Sequence, residues 1–516
     1  MYGTNLNRIS GLASGMDTES LVKKLMDAER IPVNKLKQQR EKLGWQSDAY
    51  RQWNTELFSF RTKTLFDMKM SKTYNTFAVS SSDEAKVSAV ANADAMEGSH
   101  TIKVTQTAAA ASVNATTDMS RTFSENSSIT VKVTDSKGTR EATISVQAGQ
   151  TVKDAVAAFN SAVGADGKTS LGLQAAYDDN LKQFVLKTKE TGAQTNIELS
   201  VTNTTNNPLY VLGLVDSAAS TENKKSYTGQ NAKVILDGYP EAEFTSNTFT
   251  PFGIIYTIKG QATPASPIEA TVNVTRDIEA EVKNIKDFIT KYNEMLEKLQ
   301  KAIDEPVYKD YQPLTDEERK ALSEKQIEQW EAKAKSGLLR RDSTLSGLVN
   351  NMRLHMSSTV DNGSKYNSLA AIGIESKSYT DKGKLTVDED KLRKALQEDP
   401  EAVRNLFTQG SDITAEDVKN DPTKQGKRGL IHRLYDNFQD AFKELTNKAG
   451  ATGNAQKDQS VIGKMLQNLD SRINSMEDRL TSIENRYYRQ FTAMEKAMSQ
   501  YNSQSSWLMQ QFAGGM

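Results

Sequence analysis

The sequence predicts an α+β multidomain protein, with long helical coiled-coil legs from both termini, a helical-bundle body, and two nested β-rich domains inserted in the middle. Three observations carry this prediction. A chain of 516 residues is longer than one hydrophobic core supports and implies several domains. Charge is distributed unevenly, with 35 charged residues among the 200 positions from 76 to 275 and 96 among the other 316. The charge-poor middle lacks all four tryptophans (Trp45, Trp53, Trp330 and Trp507) and is rich in Thr, Ser, Asn and Val, the residues of strands and turns. Both flanks instead repeat apolar residues at helical spacing. The expected division is 1–35 as an amino-terminal leg segment, 36–75 with 276–460 as a helical body, 76–115 with 229–275 as an outer β domain, 116–228 as an inserted inner β domain, and 461–516 as a carboxyl-terminal coiled-coil leg.

Taken in order, Asp17 is placed to cap a helix with Leu21 and Leu25 on its apolar face, and Pro32 suits the first turn of a restarted helix. Beyond it Leu36, Leu43, Tyr50 and Leu57 recur every seven residues, with Trp53 and Phe60 three after the last two. That is one apolar stripe. After the middle, Asp277 can cap a helix with a heptad seam from Ile278 to Ile303. Thr315 with Glu318 forms a capping box, Asp342 or Ser343 opens the next helix, and Asp399-Pro400 pairs an N-cap with a first-turn proline. The carboxyl-terminal seam is Ile462, Leu466, Leu469, Ile473, Met476, Leu480, Ile483, Tyr487, Gln490, Met494, Ala497 and Tyr501, weakened only at Gln490 and Ala497. At about 1.5 Å per residue its 40 positions make a rod of roughly 60 Å, which needs partner helices to bury its stripe. An intramolecular bundle with the amino-terminal helix and pairing between molecules both meet that need.

In the middle, Ile129, Val131 and Val133 alternate up to a turn at Ser136-Lys137-Gly138, and Ile144 and Val146 alternate after it, the pattern of a half-buried hairpin. Thr151 with Asp154 opens one helix. Strand patterns resume at Leu171 to Tyr177 and Ile197 to Val201. A second β block, punctuated by Asp237-Gly238 and four prolines, runs from Val234 to Val274.

Composition removes much chemistry. There is no Cys and only 3 His, which excludes disulfides, thiol nucleophiles, iron-sulfur clusters and most zinc sites. A net charge of -1 offers no general field for nucleic acid, and the +5 excess over the first 75 residues reads as a solvated helix face. His100, His355 and His432 have no second ligand at metal spacing, and Asp178-Asp179 and Asp388-Glu389-Asp390 read as a turn and a helix start. Gly167-Lys168-Thr169 resembles the end of a phosphate-binding loop, but Ala162 stands where its first glycine belongs. Its flanking elements also come in the wrong order, helix before strand. The expectation is therefore no catalytic residues, no metal, no cofactor, and not an enzyme. No apolar run spans a membrane, and no cleaved-signal pattern opens the chain. Composition alone points to the cytosol.

At ISGLASGMDTESLVKKLMDAERIPVNKLKQQ, from Ile9, the chain resembles the amino terminus of the flagellar hook-associated protein 2 family, the flagellar filament caps. The resemblance continues at KVTQTAAAA from Lys103, GQNAKVILDG from Gly229, TVNVTRDIEAEVKNIKDFITKYNEML from Thr271, the stretch from Ser368 to Phe407, and RYYRQFTAMEKAMSQYNSQSSWL from Arg486. From about 115 to 228 it extends only to general β character. The resemblance implies a homo-oligomeric ring, with a pentamer as the default, at the distal end of the bacterial flagellum, where it retains exported flagellin and promotes its folding and insertion. It also implies helical legs, a β plate, contacts with hook-filament junction proteins, a cytoplasmic export chaperone before secretion, and no membrane insertion. The protein would be secreted through the flagellum's own channel to an extracellular position at the tip, which replaces the cytosolic placement. Leu36, Leu43, Tyr50, Trp53, Leu57 and Phe60, the carboxyl-terminal seam residues other than Gln490 and Ala497, and Trp507 with Leu508 become the expected leg and oligomer contacts. The alternative function is adhesin-type binding of host mucin or glycans through exposed β domains.

Overall fold

The computed structural model describes residues 15–450 and 458–513, so the start of the motif at Ile9 lies outside the described residues. The chain divides into two compact units, one built from residues up to Thr73 together with those from Val282 onward, the other from Tyr74–Glu281.

In the first unit a single helix runs Thr18–Ser59, with Asp17 accepting from Ser20 N–H at 3.0 Å. Pro32 lies inside it without ending it, so the helix does not restart there and the leg segment has no boundary at residue 35. A π-helical turn, Phe60–Leu65, and a last short turn, Phe66–Lys69, follow. The body is formed by the helices Ile278–Asp304, Ser343–Ser357 and Leu430–Ala449, the shorter Glu389–Glu398 and Pro400–Thr408, and a two-residue-deep hairpin pairing Ile374 with Val387. The first helical turn of Ile278–Asp304 belongs to the second unit. Capping occurs where the side chains dictate it: Thr315 with Glu318, Asp342 to Leu345 N–H, and Asp399 to Ala402 N–H. Tyr292, Leu296, Leu345, Met352, Leu406, Phe407, Leu434 and Phe438 are buried at its centre.

One buried cation organises the edge of that core. Arg433, in the first turns of the Leu430–Ala449 helix, is 3 % exposed and has no carboxylate partner among the described residues. Its guanidinium donates to Arg428 O (2.8 Å), Ser358 Oγ (2.7 Å), Thr359 O (3.0 Å) and Gly426 O (3.2 Å). Two loops are thereby tied to one helix. Burial, and then Arg428, lower its pKa to about 10. His355 and His432 share this cationic surrounding. Burial, followed by Arg433 and Arg428, pushes His355 down to about 4; burial, followed by Lys69, lowers His432.

The second unit holds two separate hydrophobic clusters. The outer one lies between a five-stranded antiparallel sheet, ordered Phe77–Ser81, Ile268–Arg276, Gly98–Gln106, Ala232–Leu236, Ala242–Phe244, and a three-stranded sheet containing Val87–Ala91 and Ile254–Ile258. The inner one lies between the sheet Lys224–Thr228, Asn196–Val201, Ser127–Asp135, Gly138–Val146 and the sheet Ser112–Thr116, Gln183–Thr188, Leu173–Asp178, with the helix Val152–Ser161 packed on it. Ala111, Val113 and Ala115 belong to this inner core, although the sequence places residues up to 115 in the outer domain. The reason is pairing: Ser112–Thr116 hydrogen-bonds to Gln183–Thr188, which faces inward. At Gly213, φ is +77° and a Cβ would lie 2.3 Å from Thr116 O, so only glycine lets this loop approach that strand.

Two predictions follow from this packing. Arg433→Ala should cost about 3 kcal/mol, since it strands four acceptors in the body, and urea unfolding followed by tryptophan fluorescence will report it, because every Trp lies in the first unit. A histidine with a depressed folded pKa contributes stability above its unfolded value, and that contribution is lost as pH falls through the folded value. The same transition should therefore weaken as pH drops from about 6.5 toward 4, and His355→Gln should flatten that dependence.

Candidate functional site

The amino-terminal helix presents one face at Val22, Met26, Glu29, Val33, Leu36, Arg40, Leu43, Ser47, Tyr50, Asn54 and Leu57, in alternating steps of four and three, buried throughout except at the half-buried Glu29 and Leu43 and the exposed Arg40. Its first half pairs with the carboxyl-terminal helix Val461–Ala513. The pairing is antiparallel: moving back along the amino-terminal helix, Arg51 bonds Asp458 (2.8 Å), Arg40 bonds Asp470 (2.9 Å), Lys37 meets Glu477 (2.7 Å), and Glu29 accepts from Tyr487 Oη (3.2 Å). Val33 and Leu36 pack with Ile473, flanked by Leu469, Met476 and Leu480. Val22 and Met26 pack with Ile483, flanked by Leu480, Tyr487, Tyr488 and Phe491.

Beyond Leu43 the same face meets a different partner. Asn54 donates to Thr446 Oγ1 (2.8 Å), Phe60 stacks on Phe438 with centroids 4.9 Å apart, and Tyr50 Oη donates to Asp342 Oδ2 (2.7 Å). Burial dominates in raising the Tyr50 pKa, with Asp342 next. Tyr50, Leu57 and Phe60, read from sequence as leg contacts, therefore pack in the body, and Trp53 beside them is half-buried. The Leu430–Ala449 helix supplies this continuation because it, too, lies against the amino-terminal helix.

Two further expectations need correction. Leu21 and Leu25 are 37 % and 41 % exposed, whereas Val22 and Met26 are 1 % and 3 % exposed. Stepping back from Leu36 in sevens leads to Glu29 and Val22, with Val33 and Met26 between them, rather than to Leu25 or Leu21. On the carboxyl-terminal helix Gln490 is exposed and Phe491 joins the packed cluster. The seam takes two consecutive steps of four, Ile483 to Tyr487 to Phe491, which unwinds a coiled coil locally. Ile462 is buried, while Leu466 and Met494 are half-buried. Tyr501 (69 %), Trp507 (58 %) and Leu508 (47 %) are exposed and are not brought to the seam.

The loop at Gly167-Lys168-Thr169 is a turn closed by its own acid. Asp166 accepts from Lys168 N–H (3.0 Å), Thr169 N–H (2.9 Å) and the Thr169 hydroxyl, which occupy the donors a phosphate would need. His100 is held by Asp237 (2.8 Å) and Met96 O (2.9 Å). No group of acidic or histidine side chains suited to a metal occurs among the described residues, nor is any described helix long and apolar enough to cross a membrane.

The flagellar hook-associated protein 2 C-terminus profile matches residues 229–503 and the N-terminus profile residues 14–111. A flagellar hook-associated protein 2 from Halalkalibacterium halodurans is 31 % identical, with 98 % of this chain and 99 % of that protein covered. The chain belongs to the flagellar hook-associated protein 2 family. An A-type member from Pseudomonas aeruginosa is 24 % identical, covering 98 % and 97 % of the two chains. Among solved structures, the D1-D2-D3 domains of the flagellar cap protein FliD from Escherichia coli share the fold, with a TM-score of 0.51, 20 % identity, and coverage of 82 % of this chain and 99 % of that one. Its function is that of a flagellar filament cap, a structural role and not an enzymatic one. Hook-associated protein 2 members form an oligomeric cap that interacts with flagellin, and the protein is associated with the flagellum. The adhesin alternative has no support among these relatives.

Sequence reasoning missed Val22, Met26, Val33, Phe491 and the pairs Arg40–Asp470 and Lys37–Glu477. The available signal was the alternation of four and three itself, once polar residues are admitted to the seam. Val22→Ala should cost about 2 kcal/mol and lower the melting temperature of the helical signal in circular dichroism, while Leu21→Ala should cost under about 0.5 kcal/mol.

Proposed function

We propose that the antiparallel helix pair is the leg of the cap and that its exposed carboxyl-terminal stripe docks on a neighbouring subunit in a ring at the filament tip. The observation that carries this is surface exposure: Met498, Tyr501, Leu508 and Met509 fall within about 100° of one helix face, Trp507 lies on the adjoining one, and all five are 40 to 71 % exposed on one continuous helix. Side chains of this size in one run mark a surface meant for a partner. Leu36, Leu43, Ile473, Leu480 and Ile483 hold the leg together within the subunit, and Trp507 with Leu508 joins subunits. Five copies is the expected ring, with flagellin retained and inserted beneath it. Junction proteins at the hook and a cytoplasmic chaperone before export are its further partners, and the extracellular tip is its location. No bond-making step is involved, so the leg acts through reversible burial of apolar surface.

The two sets of residues separate experimentally. Leu480→Asp with Ile483→Asp should open the intramolecular seam, lowering helix content and abolishing filament growth while the strands of the second unit stay folded. Trp507→Glu with Leu508→Glu should leave circular dichroism unchanged, yet release unpolymerised flagellin into the medium of a strain lacking its own cap. Full-length filaments from the second variant would remove the docking role.

A further inference from the structure

A cavity of about 660 Å³ opens in the body between the helix Ser343–Ser357, the helix Ile278–Asp304 and the loop joining Ile374 to Thr386. Its composition is unlike the closed core beside it. Asn350, Arg353 and Leu354 reach it from one helix face at i, i+3 and i+4. Leu354 is 61 % exposed, which gives the opening an apolar wall. At the floor stands Tyr292, 0 % exposed, whose Oη has no hydrogen-bond partner among the described residues. An unsatisfied buried hydroxyl costs free energy that a bound acceptor would recover. Arg353 is close enough for its charge to act on that phenol.

Arg353 is also held ready. Among the described residues it has no ion pair or hydrogen bond, yet its stem is clamped. Lys382 and Gly383 both adopt left-handed backbone, with φ of +52° and +90°, and a Cβ on Gly383 would lie 2.7 Å from Arg353 Cγ and 2.8 Å from Nε. The loop therefore lies directly on the arginine stem, which only glycine permits. A guanidinium restrained in this way loses little freedom when it binds a planar anion with two parallel hydrogen bonds. Glu375 also lines the cavity, so a dianionic phosphate would meet about twice the repulsion that a single carboxylate on an apolar carrier meets.

We propose that this cavity is a recognition site for a peptide carboxylate next to an aliphatic side chain, with Arg353 gripping the carboxylate, Tyr292 Oη donating to it, and Leu354 covering the aliphatic group. The site does not depend on the docking role of the leg. The carboxylate can come from a chain end or from an acidic side chain, and the test separates the two. The full chain is titrated calorimetrically with N-acetyl-leucyl-leucine, with N-acetyl-leucyl-aspartic acid α-amide, and with the neutral N-acetyl-leucyl-leucine amide. The expected result is saturable heat from at least one acid and none from the neutral amide. Arg353→Gln should weaken binding at least about tenfold, and Tyr292→Phe should weaken it several-fold without lowering the melting temperature. The acid that binds more tightly identifies the source. Absence of heat from both acids, equal heat from the neutral amide, or affinity unchanged in Arg353→Gln would overturn the proposal.

Discussion

The first unit depends on one constraint: the helix of 53 residues carries an apolar stripe from Ile462 to Phe491 that has to be covered, and the helix nearest in space that matches it comes from the opposite end of the chain. Bringing residues 22–43 against residues 462–491 orders a large part of the chain at once, so the seam needs more than weak apolar contacts. It obtains register from paired charges. Arg40–Asp470 and Lys37–Glu477 are half-exposed and contribute little energy, but a slip of one turn would set each against a wrong neighbour. Glu29 with Tyr487 fixes the same register farther along.

The same face of the amino-terminal helix serves two partners in succession, and this couples leg to body. Arg51 stands at the changeover, with Nε on Ala449 O and Nη2 on Asp458, so one side chain holds the end of one partner helix and the start of the next. Phe60, three residues beyond Leu57, opens the π-helical turn and stacks on Phe438. Arg61 follows, lying over the rings of Phe58, Tyr435 and Phe442 at 5.3 to 5.6 Å. The helix thus changes partner without breaking.

Capping a filament is a structural role, and groups that resemble functional motifs serve the fold here. The acids and hydroxyls that resemble functional motifs are consumed by local geometry, as Asp166 is by the turn at Lys168 and Thr169. Buried ionic groups act as ties. Arg140, 10 % exposed, is paired with Asp135 and donates to Leu171 O (3.2 Å), joining the tip of one hairpin to the next segment of the inner core. The carboxyl-terminal helix, by contrast, keeps large apolar side chains exposed, Tyr501, Trp507 and Leu508 among them.

Local signals were legible in the sequence wherever a few neighbouring residues suffice. Asp17, Thr151, Thr315, Asp342 and Asp399 cap helices because a side-chain oxygen three residues from a free N–H needs nothing else. The hairpin from Ile129 to Val146 and the seam from Ile462 to Tyr487 follow from periods of two and three and a half in the same way. The resemblance carried in the motifs gave the family. The tertiary structure decided what covers each stripe. Counting from Leu36 in steps of four and three selects Val22 and Met26 over the equally apolar Leu21 and Leu25, but only the fold shows that Ile483, with Leu480, Tyr487, Tyr488 and Phe491, buries them. It also decided that Ser112–Thr116 joins the inner core, that Tyr50 and Phe60 face the body, and that Arg353 and Tyr292 meet in a cavity. Each of these depends on which distant segment supplies the other wall, and a residue's own spacing holds no information about that segment.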